Sequence, residues 1–90
     1  MTFNATIDPV STMNEEMQEF AIDTAILSII KHCDNKYEMA KYIKNKFDIK
    51  YGTNWAVMVG DDYRAFFTYE EKCYTVFKIQ NFKFIIFKEL

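Results

Sequence analysis

Apolar side chains recur three and four residues apart from Met13 through Met17, Phe20, Ala21 and Ala25 to Ile29 and Ile30. That spacing is one face of an α-helix, and it predicts a helix ending near Lys31. Its start lies within Ser11-Thr12-Met13-Asn14-Glu15-Glu16. Thr12 with Glu15 has capping-box spacing, Asn14 is a rival cap, and the acids suit the positive helix end. His32-Cys33-Asp34-Asn35 breaks the pattern, with His32 placed to answer the dipole at the C-terminal end. A second helix is predicted over 36–51. Ala40, Ile43, Phe47 and Tyr51 form its stripe, Lys41, Lys44 and Lys50 face water, and Gly52 stops it. Before both helices, residues 3–10 read as an edge strand, because Pro9 cannot donate to a ladder.

The pattern changes after Gly52. Eleven of the sixteen aromatic residues lie at or beyond Tyr51, and strands are predicted at 54–59, 63–69, 73–79 and 82–88. Gly60-Asp61-Asp62 is one turn, and Gln80-Asn81 is short enough for a tight hairpin. Two helices followed by strands make an α+β domain over 1–90, the helices packed on an antiparallel sheet. Alternation then gives the faces. Phe82, Phe84 and Ile86 point one way, with Ile85 and Phe87 opposite. Trp55, Val57 and Val59 oppose Ala56 and Met58, and Tyr63, Ala65 and Phe67 oppose Arg64, Phe66 and Thr68. Both faces are apolar near the centre, yet two helices cover only one. A second subunit is the simplest cover for the other.

Composition narrows the chemistry. The 90 residues are 50% hydrophobic with only two Gly and one Pro, enough for a core and without a linker. A net charge of −2 provides no basic field for nucleic acid. The longest apolar runs, such as Phe84-Ile85-Ile86-Phe87, are too short to span a membrane, and no secretory signal opens the chain. Cys33 and Cys73 lack metal-site or disulfide-framework spacing, and the single histidine, His32, removes most zinc and acid–base designs. Phosphate loops and nucleophile elbows are absent. Asp61-Asp62 and Glu70-Glu71 read as turn or rim, and Cys73 reads as a small packed hydrophobe. Neither an enzyme nor a cofactor is expected.

An ordered set of residues carries a resemblance across nearly the whole chain. Asn14-Glu15-Glu16-Met17-Gln18 opens helix one, and Ile43-Lys44 with Phe47-Asp48-Ile49-Lys50-Tyr51 closes helix two. Asn54-Trp55, Val59-Gly60, Thr68-Tyr69-Glu70, Lys72 and Ile85-Ile86-Phe87-Lys88 follow in order. Together they resemble the eight-kilodalton dynein light chain family. The loop between the helices is one residue longer than in the common cytoplasmic form, a spacing similar to axonemal light chains.

The resemblance implies a dimer in which the strand of Tyr63, Arg64, Ala65, Phe66, Phe67 and Thr68 crosses to the partner's sheet. Extended peptides would add to that strand, with Tyr74, Val76, Lys78, Lys36 and Tyr37 completing the groove. Ala56, Val57, Met58, Tyr63 and Phe66 would form the dimer interface. The implied role is a non-catalytic light chain of a dynein motor in the cytoplasm and cytoskeleton, with the ciliary axoneme as the further setting the loop suggests. Its partners would be the dynein intermediate chain and another light chain, identical or different. Departures from the family pattern mark this chain. Arg64 stands where the family has a glycine, Val76 and Lys78 replace tyrosines, Ala56 replaces a seam histidine, and Glu89 replaces a serine. They point to a specialised paralogue preferring acidic segments. The alternatives are a structural heterodimer subunit with a closed groove, and a dimerising hub outside dynein.

Overall fold

The computed structural model describes residues 3–60 and 73–88. The described elements run in the order β1 (Ala5–Ile7), α1 (Glu15–His32), α2 (Lys36–Tyr51), β2 (Trp55–Gly60), β3 (Tyr74–Ile79) and β4 (Phe82–Lys88). The strands form one antiparallel sheet of order β1-β3-β4-β2, with both helices on one face. This is the α+β plan the sequence predicts. The expected strand at 63–69, and with it the carboxylates Asp61, Asp62, Glu70 and Glu71, lies outside the described residues.

Each helix begins on an asparagine. Asn14 Oδ1 accepts from Met17 N at 2.8 Å, and Asn35 Oδ1 accepts from Glu38 N at 3.1 Å, filling donors that a helix start otherwise leaves open. The rival cap, Thr12, is used elsewhere. Its backbone N donates to Tyr74 O at 2.7 Å and its hydroxyl accepts from Tyr74 N at 3.2 Å, which holds the chain extended beside β3. At the other end of α1, His32 O accepts from Asn35 N, and the His32 ring lies 6.2 Å from Tyr42. Gly52 ends α2 at φ +82°, a conformation that residues with a Cβ rarely adopt.

The helix stripes differ in detail from the simple periodic reading. Ile30 is 62% exposed, and the buried line of α1 instead passes through Gln18, Ala21, Thr24, Ala25, Ser28 and Ile29. Small polar residues sit in that line because their hydroxyls can bond locally, as Ser28 Oγ does to Ala25 O at 2.6 Å. In α2, Met39 rather than Ala40 is the fully buried position, followed at intervals of four by Ile43 and Phe47. Against these stripes the sheet presents Trp55, Phe77, Ile79, Phe84 and Ile86. Phe77 stacks on Phe84 across the β3–β4 pair, with ring centroids 5.2 Å apart. Cys73 packs against the same core, as expected of a small hydrophobe.

The opposite face is apolar too, as alternation requires. Val76, Ile85 and Phe87 form a second cluster with Ala56 and Tyr74 packed against it. These three are already 1–8% exposed within one chain, so the uncovered part of that face is smaller than the sequence suggests. Met58, at 38% exposure, is its open portion.

One carboxylate fastens β2 to α2. Asp48 Oδ1 accepts from Trp55 N at 3.0 Å, while Oδ2 takes Lys44 Nζ at 2.7 Å one helical turn away. The Lys44 hydrogen bond holds the carboxyl below its ordinary 3.8, against opposing desolvation and with help from the Trp55 N–H. No described helix is long and apolar enough to cross a membrane.

Three measurements check this account. Phe84→Ala should lower unfolding free energy by about 3–5 kcal/mol in denaturant titration, since Phe84 is wholly buried at the centre of the core. Gln80, at φ +54° in the hairpin turn, is in a region that favours glycine. Gln80→Gly should therefore stabilise the fold by up to about 1 kcal/mol. Because the Asp48 carboxyl is lowered on folding, its contribution is full above 3.8 and is lost as pH falls through its lower folded value. Asp48→Asn should accordingly flatten the acid side of the stability–pH curve below about pH 4, where the wild-type chain loses this term.

Candidate functional site

The outer edge of β2 is the first feature of interest. β2 pairs with β4 from Trp55↔Lys88 to Gly60↔Lys83, and its other edge has no strand partner among the described residues. Of the positions expected at a subunit seam, Ala56 and Met58 lie on the face away from the helices, whereas Val57 packs into the helix-side core. The three thus share a strand but not a face. Tyr63 and Phe66, the remaining seam residues, lie outside the described residues.

The same is true of Tyr63, Arg64, Ala65, Phe66, Phe67 and Thr68 as groove residues. Three other groove positions are brought together by β3. Tyr74, Val76 and Lys78 alternate along one face, with Phe87, Ile85 and Lys83 directly opposite on β4. Val76 is buried, while Tyr74 and Lys78 are half-buried. Lys36 and Tyr37 belong to the first turn of α2, and Tyr37 is 73% exposed. Within one chain α2 packs on the opposite side of the sheet, so these two residues do not join Tyr74, Val76 and Lys78.

Lys83 is the residue that the sequence reading missed. Two lysines in register across a ladder raise the local positive potential. Thr6 of β1 continues the row on the far side of Lys78. A shallow cleft of about 250 Å³ runs along this end of the face, lined in part by Thr6, Asp8, Val76, Lys78 and Lys83. The signal was available, because a two-residue turn at Gln80-Asn81 pairs 79 with 82 and therefore 78 with 83.

An aromatic cluster supports β2 from the helix side. Phe47 and Trp55 approach to 4.8 Å between centroids, with Phe20 and Tyr51 around them. Burial pushes the Tyr51 phenol up, and the charge of Glu16 adds to the effect. The Lys88 ammonium lies 5.8 Å above the Trp55 ring and reaches Tyr51 O at 3.4 Å. This arrangement stiffens the strand and offers no nucleophile–base pair. Among the described residues, no three His, Cys, Asp or Glu side chains gather as metal ligands.

Comparison with known proteins gives this geometry its context. Residues 9–89 match the family model of dynein light chain type 1. A cytoplasmic dynein light chain of Emericella nidulans is 34% identical over 76 residues, which cover 84% of this chain and 80% of the relative. A dynein light chain of Schistosoma mansoni is 38% identical over 76 residues, covering 84% of each. Neither relative lends support to the axonemal setting suggested by loop length. In structure, the dynein light chain-like domain of Fasciola hepatica calcium-binding protein FhCaBP2 superposes with a TM-score of 0.82 over all of this chain and 96% of that one. At 18% identity that likeness speaks to the fold. With the family match extending from the β1–α1 connection past β4, the chain belongs to the dynein light chain family and is a non-enzymatic subunit.

Proposed function

We propose that this light chain dimerises through the outer edge of β2 and holds extended segments of dynein intermediate chains by adding them to its sheet. The observation that carries this reading is the edge of β2 that has no strand partner among the described residues, in a chain of this family. A strand edge presents unpaired N–H and C=O groups in the geometry that another strand needs. The partner's 63–68 segment would pair there, and the intermediate chain would lie along that segment's far edge. In such a dimer Lys36 and Tyr37 of one protomer and the crossing segment of the other would share a groove, joining residues that one chain keeps apart. Main-chain hydrogen bonds contribute about 1 kcal/mol net each, so a single short segment binds modestly. Two grooves gripping paired chains strengthen attachment through effective concentration, roughly 10²–10⁴-fold.

The in-register lysines favour acidic side chains in the bound segment. Lys78 stands opposite Lys83, and Arg64 would join them if the crossing strand is placed as proposed. The cytoplasmic setting of the Emericella relative supports a place in the cytoplasm and cytoskeleton.

Two experiments test the proposal. Sedimentation should show a dimer, and Phe66→Ala should cost on the order of 3–5 kcal/mol of dimer stability and release monomers. An unchanged dimer affinity would place the crossing strand elsewhere. Calorimetric titration with an intermediate-chain peptide should show binding that weakens when acidic residues of the peptide become amides. Lys78→Glu should reverse that preference, and absence of binding to any such peptide would leave a purely structural subunit.

A further inference from the structure

β1 lies at the edge of the sheet opposite β2, and no strand covers it among the described residues. Its register on β3 decides which backbone groups face outward. Asp8 N donates to Val76 O at 2.9 Å, which makes 8 and 76 a hydrogen-bonded pair. Alternation makes Thr6 and Lys78 the next such pair, so the N–H and C=O of Ala5 and Ile7 point away from β3. The strand is short but held in place. Asp8 Oδ1 accepts from Val10 N at 3.0 Å and Asp8 O from Ser11 N at 3.0 Å, closing a turn through Pro9 directly after it.

A cleft opens along each face of this edge. On the helix side, a cleft of about 550 Å³ is lined in part by Ile7, Met13 and Ile22, with the exposed Glu15 and Glu19 around them. On the other side, the cleft of about 250 Å³ has Thr6, Val76, Lys78 and Lys83 in its lining. Ile7 is 44% exposed and stands opposite Phe77, on the helix side, while Thr6 shares the face of Lys78. An added strand sends alternate side chains to opposite faces. Its residue opposite Ile7 meets the glutamates, and the next, opposite Thr6, meets the lysines. A second copy pairing antiparallel through β1 would bring glutamates of both chains to one side and lysines to the other, like against like. The edge therefore suits a partner whose neighbouring residues differ in sign.

We infer that β1 is a second strand-addition site, which takes an extended peptide in which a basic residue is followed directly by an acidic one. The peptide runs antiparallel to β1, the more stable pairing and the one used throughout this sheet. Ala5 and Ile7 exchange main-chain hydrogen bonds with it. The basic side chain lays its apolar stem along Ile7 and Ile22 and carries its charge to Glu15 and Glu19. The acidic side chain turns toward Lys78 and Lys83. The inference does not rest on intermediate-chain binding, which uses the β2 edge at the far end of the sheet.

The test is a ¹⁵N NMR titration of the full chain with acetyl-Thr-Val-Arg-Glu-Val-Thr-amide. The Ala5 and Ile7 amides should shift and exchange their hydrogens more slowly. N-methylation of the peptide's arginine, whose N–H donates to Ile7 O, should weaken binding at least about tenfold. N-methylation of its glutamate, whose N–H points to solvent, should change affinity less than about twofold. The double variant Glu15→Gln, Glu19→Gln alters only exposed groups and should weaken the peptide roughly 3- to 10-fold. Ile7→Pro removes an N–H that the β1–β3 ladder does not use, and it should abolish binding with the fold kept. Should Ile7→Pro fail to fold, the methylated peptides still decide. Shifts at Ala5 and Ile7 that grow with protein concentration alone would assign the edge to a second copy and overturn the proposal. Equal weakening by the two methyl groups, shifts confined to 55–60, or no response at millimolar peptide would overturn it as well.

Discussion

Phe77 and Phe84 lie face to face across the central pair of strands, and the register that brings them together decides which face each residue of β3 and β4 presents. With Phe77 opposite Phe84, alternation sends Thr75, Ile79, Phe82 and Ile86 toward the helices, and Val76, Ile85 and Phe87 to the other face. A slip of one residue would deliver Lys83 to the helix-side core and Phe84 to the opposite face. The outer strands inherit this choice. β1 aligns on β3, β2 aligns on β4, and the helices find a flat aromatic surface only when the central register is correct.

Polar groups near the start of α1 make that register harder to shift. Ser11 Oγ accepts from Val76 N at 3.0 Å and donates to Val76 O, while Thr12 exchanges bonds with Tyr74 in the same way. Two consecutive hydroxyl residues thus imitate a strand and satisfy backbone groups that β1 is too short to reach. Thr75, fully buried between them and Gln18, links the sheet to α1. The helix is thereby positioned by directional bonds as well as by packing, which do not permit it to slide along the sheet.

Most of the architecture could be read from the chain because its signals are local. The glycine after α2, the two-residue turn and strict alternation in β4 each act within a few residues of their effect. What escaped the reading is long-range. Whether Thr12 or Asn14 caps α1 depends on Tyr74, more than sixty positions away, competing for the Thr12 hydroxyl. Exposure of Ile30 and burial of Met39 depend on how the helices rotate against the sheet, which period alone does not specify. At the candidate groove, Tyr74, Val76 and Lys78 were found together because one strand carries them. Lys36 and Tyr37 were grouped with them by resemblance, and a single chain leaves them on the other side of the sheet.

The centre of the sheet is built from β3 and β4, which follow both helices and both edge strands in the chain. During synthesis on a ribosome, β1, α1, α2 and β2 therefore emerge before any strand that can pair with them. Until β3 and β4 are made, the buried faces of α1 and α2 lack the Phe77, Ile79, Phe84 and Ile86 surface they pack on, with Trp55 of β2 beside Phe47 as partial cover. Pairing of the sheet thus waits on β3 and β4, and until both are made the nascent chain carries uncovered apolar surface open to misassembly.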